Sequence, residues 1–423
     1  MRIDELHETL KQKFTVKRGY GTIKLKDKGF ENIHFVVPKP PPHEMNIKEL
    51  PLKAVSEAMK VLSTLPNYEQ MSELDKLVNY LFVRREVVQS SRLEGTWSTI
   101  DHALTPGEIA DSNQGKDEHQ AVRSYANLLE SIIEKTNKKK ESIFTEKLIN
   151  KIHKSIVEND PNSTGKPGKT REEGKPGSIV TIGGLRVENS VYNPCPASEV
   201  KRTLSDLLEW LRDKELAELG DAGIGLNLPI RLAIIHAHFE AIHPYTDGNG
   251  RVGRSLWPLQ MVCSGNMPLY LSGYVEIYKS EYINALEQAQ KKLNYSPLIE
   301  FICNAIIDSQ IEAKITKQAI LNLEEKWIKE SKFRANSTAR KSLRLLLTNP
   351  IISSNFIEKS LEVSGTAAND AINALEKKKI IRFRRHESRH KIFAAEELIQ
   401  ILSRPFGSDI DLALEKATDL LNS

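Results

Sequence analysis

The sequence predicts a mainly α-helical chain: a helical bundle carrying one β-hairpin, followed by a C-terminal winged helix-turn-helix domain. Three observations predict it. Apolar residues recur at helical spacing along most of the length. That pattern stops between residues 161 and 194, where turn-forming and then strand-forming residues stand. From residue 335 onward the order is helix, short turn, helix and basic ribbon.

The first 45 residues are the least helical. GYGTIKLKDKGFENIHFVVP has room for short strands, and PKPPP at 38–42 is an extended spacer. Residues 72–89 then place Leu74, Leu77, Leu81 and Val88 at helical spacing behind Ser72, a suitable cap. Further helices are expected near 117–135, 144–158, 197–218, 228–242, 253–264, 279–292 and 297–330. PNSTGKPGKTREEGKPG, from 161, is turn-forming, and SIVTIGGLRVENSVYN after it reads as strand, glycine turn, strand. A lone hairpin on a helical body is often functional when it overhangs a site. In the C-terminal domain Ala368, Ala371, Ile372 and Leu375 form one apolar stripe. The expected division is 1–110, 111–310, a helical linker at 311–334, and 335–423.

With 423 residues the chain has room for two or three domains. Its net charge of +4 is too small to imply a nucleic-acid partner for the whole chain, so any basic signal is local. Cys195, Cys263 and Cys303 lie far apart with no CxxC pair, which argues against a disulfide framework or a zinc ribbon. The start, MRIDELHETLKQKF, has no apolar signal region, and no apolar run is long enough to cross a bilayer. The expected location is cytoplasmic, without a membrane partner.

Chemistry concentrates in HPYTDGNGRVGRS, residues 243–255. GNGRVG matches the dinucleotide fingerprint G-x-G-x-x-G, but that fingerprint needs a preceding buried strand, and LPIRLAIIHAHFEAIHP has helical spacing instead. His236, His238, His243 and Asp247 match no standard zinc spacing, and buried or capping histidines are the plainer reading of the first two. A phosphate cradle fits best. One helix ends near His243, a glycine loop follows, and a second helix starts near Val252. Amides from Gly248 to Gly250 would form an anion nest at that helix's N-terminus. Arg251 and Arg254 would reach in with forked donors, and Asp247 would hold Mg²⁺ on the phosphates. His243 is placed to take a proton from an incoming hydroxyl. The plainer alternative is a Gly-Asn-Gly turn with solvated arginines, but such turns rarely gather histidine, acid, amide and two arginines.

These residues resemble the motif of the Fic family, HPFx[D/E]GNGRxxR, with Tyr245 in place of its phenylalanine. HAHFEAIHP before it and PLYLSGYVEIYKSEYINAL after it are also similar to the family. The resemblance spans roughly residues 45–305. It implies a Fic-type bundle and a protein adenylyltransferase that binds ATP and Mg²⁺ and transfers AMP to a Ser, Thr or Tyr hydroxyl of a target or of itself. It makes His243 the general base, Asp247 the Mg²⁺ ligand, Asn249 a phosphate contact, and Arg251 and Arg254 phosphate ligands, with Gly248 and Gly250 in the cradle. The hairpin at 177–193 falls where the family has a flap that aligns the target by strand addition, here around Thr181, Ile182 and Gly183. The family's GxxR lead-in stands as Gly168-Lys-Thr-Arg171, with Thr170 where an aromatic is usual and a GKPG insertion after it.

REVVQSSRLEGT, 85–96, resembles the family's inhibitory motif [S/T]xxxE[G/N], read as Ser90, Glu94 and Gly95. Glu94 falls in a helix's last turn, where the macrodipole disfavours a carboxylate, and Gly95 suits the residue beyond. The resemblance implies that Glu94 pairs with Arg254 and occupies the place of the γ-phosphate.

From 377 to 391 stand Lys377, Lys378, Lys379, Arg382, Arg384, Arg385, Arg389 and Lys391 against Glu387. That stripe would suit DNA phosphates, yet Asp370 on the candidate recognition helix would meet them badly, and such domains also dock proteins. Two classes of function follow: a self-restrained AMP transferase whose last domain selects targets, or a DNA-binding regulator with a nucleotide-sensing core. An intact His243 favours the first. Removal of AMP, transfer of another nucleotide and a homodimer stay open.

Overall fold

The computed structural model describes residues 1–27, 29–107, 118–184, 187–223, 225–387 and 390–422. The expected boundary at 110/111 and Arg389 lie outside the described residues. The chain forms two compact units, Met1–Gln70 with Asn127–Ser309, and Met71–Ala126 with Gln310–Ser423. This division cuts across the expected segment 1–110, because the helix Glu73–Leu93 finds its polar partners more than two hundred residues away.

The first unit is built around the helix Leu228–Ile242, every residue of which is buried. Pro229 in its first turn suits a helix start, and an apolar surface all round demands cover on every side. The helices Asn249–Cys263, Ala197–Arg212, Lys279–Lys292 and Leu52–Ser63 supply it. The last of these is absent from the sequence reading, although Val55, Ala58 and Leu62 bury one stripe. The expected short strands are present as β1, Gly21–Lys24, and β2, His34–Val37, paired antiparallel.

Two expectations for this unit need correction. The helix expected over 197–218 is two, Ala197–Arg212 and Lys214–Asp221, because the Asp213 carboxylate caps the second by accepting from the Leu216 amide at 3.0 Å. The hairpin at 177–193 is not a pair of regular strands. Among the described residues it is a loop closed by one antiparallel bridge, Ile182 to Tyr192, with Gly183 and Gly184 at φ 66° and 80° turning the chain away. Two consecutive left-handed residues end a strand.

His236 and His238 are buried, as expected of core histidines. The Tyr282 hydroxyl lies 2.6 Å from His236 Nε2, and His238 Nδ1 bonds to the Ile234 carbonyl at 2.9 Å. Burial pulls His238 and His153 down to about 4. A depressed histidine leaves the unfolded chain to take up its proton first. Folding stability is therefore expected to fall as pH drops from the ordinary histidine value toward 4, by up to roughly 3 kcal/mol for each ring. Urea unfolding at pH 7, 6 and 5 checks this, and a stability unchanged between 7 and 5 would contradict it.

In the second unit Ser72 caps Glu73–Leu93 through a capping box, its hydroxyl accepting from the Asp75 amide at 3.1 Å. Three buried groups tie this helix to later chain: Arg85 pairs with Glu312, Arg404 pairs with the same carboxylate at 2.7 Å, and Arg85 also donates to the Arg404 carbonyl at 3.0 Å. The helix ends at Glu94, and Gly95 beyond it takes φ 86°. Further on come the helix Thr338–Thr348, β3 (Ile351–Ile352), the helices Ser354–Leu361 and Gly365–Lys377, then β4 (Arg382–Glu387) and β5 (His390–Ala394). The antiparallel sheet has the order β3-β5-β4, and Ala368, Ala371, Ile372 and Leu375 are buried as one stripe. Two helices not expected, Glu396–Ser403 and Ile410–Asn422, follow.

Candidate active site

His243 is the residue at which the buried helix stops, in a left-handed conformation with φ 49° and ψ 62°. A left-handed non-glycine residue costs on the order of 1 kcal/mol and persists only where its surroundings hold it. The holder is Arg171. Its guanidinium donates to four carbonyls: His243 at 2.9 Å, Ile242 at 3.0 Å, Cys195 at 2.7 Å and Ser178 at 2.9 Å. Its own amide donates to the Pro244 carbonyl at 2.8 Å. Burial among these neutral acceptors lowers the guanidinium to about 10, so it stays charged at neutral pH. One side chain thus fixes the backbone of the candidate base and both ends of the loop expected to act as a flap.

His153 braces the next turn. Its Nδ1 accepts from the Gly168 amide at 3.0 Å, so its Nε2 carries the proton and donates to the Asp247 carbonyl at 3.0 Å. The ring stacks on Tyr245 at 3.7 Å with planes 4° apart, and the Tyr245 hydroxyl donates to Asn150 at 2.7 Å. Burial raises the Tyr245 phenol, which keeps it a neutral donor.

Two motif residues make hydrogen bonds within the chain. The Asn249 side chain accepts from the Tyr245 amide and donates to the Tyr245 carbonyl, both at 2.9 Å. Arg251 gives one guanidinium nitrogen to Asp160 at 2.9 Å and sets another 3.5 Å from Asp247. A buried amide and a buried cation bind the first good partners in reach, and here those include Tyr245 and Asp160.

The start of the next helix offers backbone donors to an anion. The helix Asn249–Cys263 begins three residues earlier than expected, after Gly248 at φ 78°, and its first backbone bond runs from Val252 to the Gly248 carbonyl. The amides of Asn249 and Gly250 thus precede the ladder at the positive end of the helix. Asp247 accepts from Ser163 and from the Gly248 amide, each at 2.6 Å, and its side chain is 29% exposed. Arg254 is buried on the same helix and acts electrostatically on Glu240.

Thr181 and Ile182 are half-buried and Gly183 is exposed. Ile182 spends its amide and carbonyl on Val191 and Tyr192 and packs against the cluster containing Leu6, Leu10 and Tyr192. In the second unit Ser90 is buried and Glu94 stands at an exposed helix end.

The sequence reading did not assign roles to Arg171, His153, Asp160, Ser163 or Glu240. Arg171 stood in the GxxR lead-in and Glu240 one helical turn before His243; Arg171, His153, Asp160 and Ser163 reach the loop from 72 to 94 residues away in sequence.

A family model described as Fic/DOC family matches residues 143–260, and one described as Fic/DOC family N-terminal matches residues 52–134. A probable protein adenylyltransferase of Aquifex aeolicus is 27% identical over 124 residues, covering 26% of this chain and 34% of the relative. The protein adenylyltransferase fic-1 of Caenorhabditis elegans is 35% identical over 99 residues, 23% of this chain and 17% of that protein. The matched stretch therefore spans about a third or less of these relatives. Among solved structures, a Fic family protein from Desulfovibrio desulfuricans aligns with a TM-score of 0.48 at 18% identity, covering 85% of this chain and 98% of that one.

Proposed function

Since the chain belongs to the Fic family, we propose that it is a protein adenylyltransferase restrained by its own Glu94. The observation that carries this reading is a histidine pinned at a helix end beside an anion-binding helix N-terminus and a part-exposed carboxylate. His243 takes the proton of a Ser, Thr or Tyr hydroxyl on a target protein or on the chain itself. The oxygen bonds to the α-phosphorus of ATP, the bond from that phosphorus to the β-phosphate bridging oxygen breaks, and pyrophosphate leaves. First-turn amides hold phosphate oxygens, and Arg254 supplies positive charge.

Asp247 offers one carboxylate, and no cluster of three or more His, Cys, Asp or Glu side chains suited to a metal stands among the described residues. That donor set fits Mg²⁺, which binds through one or two carboxylates, phosphates and water, and does not fit an ion that needs a protein cage. When bound, the ion would neutralise phosphate charge; Ser163 and the Gly248 amide orient the carboxylate for it.

The target segment adds as a strand beside Thr181 and Gly183, which flank the one residue committed to Tyr192. Residues 335–423 read as a winged helix-turn-helix from their order of elements. We assign this domain to protein docking rather than DNA reading, because Arg382 and Arg384 are taken by the buried Glu396, the latter through two bonds of 2.5 Å. The chain is expected to retain label from ATP labelled at the α-phosphate, on itself or on lysate protein, and none from ATP labelled at the γ-phosphate. Retention of γ-label, or of neither label even after Glu94→Gly and with other nucleotides offered, would overturn the assignment.

A further inference from the structure

Glu240 lies one turn before His243 on the same helix, with its Oε2 3.5 Å from His243 Nδ1. That distance is longer than a hydrogen bond, but the two groups have little else to turn to. Nδ1 of His243 and Oε1 of Glu240 are both buried without a hydrogen-bond partner among the described residues. The carboxylate is 8% exposed, and the ring 19%. Catalytic contacts of this kind are often long before substrate arrives and tighten once it is bound.

Room for the carboxylate comes from the neighbouring helix. A Cβ on Gly253 would stand 2.9 Å from Glu240 Oε1 and 3.1 Å from His236 Nδ1, so the carboxylate would have to move aside from its present place. The second glycine after Asn249 therefore serves this carboxylate. His243 has little backbone freedom of its own, since Arg171 holds its carbonyl. Its ring orientation is what remains to be set.

The charged and titratable groups around Glu240 are His243 and His236 on its own helix and Arg254 on the helix Asn249–Cys263. His236 is in turn held by Tyr282 from Lys279–Lys292. Burial pushes the Glu240 carboxyl up, and the His243 ring with the charges of His236 and Arg254 more than reverses that, leaving it below the usual carboxylate range. It is ionised at neutral pH.

We propose that Glu240 is the positioning carboxylate of His243: it turns the Nδ1 proton inward and leaves Nε2 as the proton acceptor that faces the reacting hydroxyl. When Nε2 takes that proton, the ring becomes a cation between hydroxyl and carboxylate, and Glu240 stabilises it without being protonated itself. Glu240 touches no reacting atom. Its place in catalysis rests on the adenylyltransferase reading, while its effect on the ring does not.

The test uses the full chain carrying ¹⁵N-histidine, with the His243 ring signals assigned by their loss in His243→Gln. In the parent at neutral pH the His243 ring is expected in the tautomer with hydrogen on Nδ1. Glu240→Leu, close in volume, is expected to shift it toward hydrogen on Nε2. In the Glu94→Gly background, Glu240→Gln is expected to lower kcat about 10²-fold with KM for ATP within about twofold, and Glu240→Asp to recover part of the loss. A tautomer unchanged by Glu240→Leu, or a Glu240→Gln enzyme with the parent's kcat, overturns the proposal. Should the Glu240→Leu variant not fold, the ring signals of Glu240→Gln decide: loss of the carboxylate charge must move them. Were no transfer found at all, the tautomer would still decide the role of Glu240, so the two readings fail separately.

Discussion

His243→Ala is expected to lower nucleotide transfer by about 10²- to 10⁴-fold, the usual worth of a general base. The fold tolerates the change. What Arg171 grips is the carbonyl of residue 243 and not its ring, so the helix end stays fixed with alanine in place. Alanine at a left-handed φ of 49° is strained on the order of 1 kcal/mol, as histidine already is. Glu240 loses the ring beside it but keeps His236 and Arg254. ATP binding, which falls to helix amides and arginine, should change less than about threefold. The two measurements are the rate of α-label transfer and calorimetric titration with ATP. An alanine variant that transfers as fast as its parent removes His243 from the mechanism, whereas a variant that neither transfers nor binds ATP points to structural collapse.

The second large effect runs the other way. Glu94→Gly is expected to raise transfer by at least about tenfold, the factor that corresponds to 1.4 kcal/mol of relieved competition for the nucleotide. The substitution is informative because a glutamate at this position sits badly with the helix that it ends. It caps the C-terminal end of Glu73–Leu93, where the helix dipole opposes a carboxylate by roughly 0.3–1 kcal/mol, and its φ of −94° suits glycine equally well. A purely structural role predicts a shift in stability and no change in rate. Restraint predicts the same stability and a faster rate. Thermal unfolding and α-label transfer, run side by side, separate the two; unaltered transfer would leave Glu94 as a surface residue.

The candidate site was legible in the sequence because HPYTDGNGRVGRS holds histidine, aspartate and glycine loop within one turn and the start of a helix. Local signals also carried the Ser72 cap, the Gly95 terminus and the stripe through Ala368 and Leu375. Orientation was not legible. Arg251 and Arg254 look alike in the motif, yet Arg251 turns to Asp160, a residue 91 positions away in a segment that reads only as turn. The division into units was hidden for the same reason: Arg85 and Glu312 are 227 positions apart, and a lone arginine in a helix does not announce its carboxylate. The break at Asp213 carried a signal, an aspartate with the right offset for a cap, but continuous apolar spacing outweighed it.

The grip of Arg171 has a consequence for how such a protein can diversify. Between the Ser178 and Cys195 carbonyls, the exposed turn after the Ile182–Tyr192 bridge can change in length with little strain at His243, because the same cation secures both ends of the stretch and the histidine beside them. Doubling the length of a flexible loop costs only about 0.6 kcal/mol in closure entropy. Insertions there therefore need no compensating change at His243. Position 171 has no such latitude: a lysine has a compact head in place of the planar fork and would release at least one of the four carbonyls. A single side chain separates a turn that can vary from a helix end that cannot.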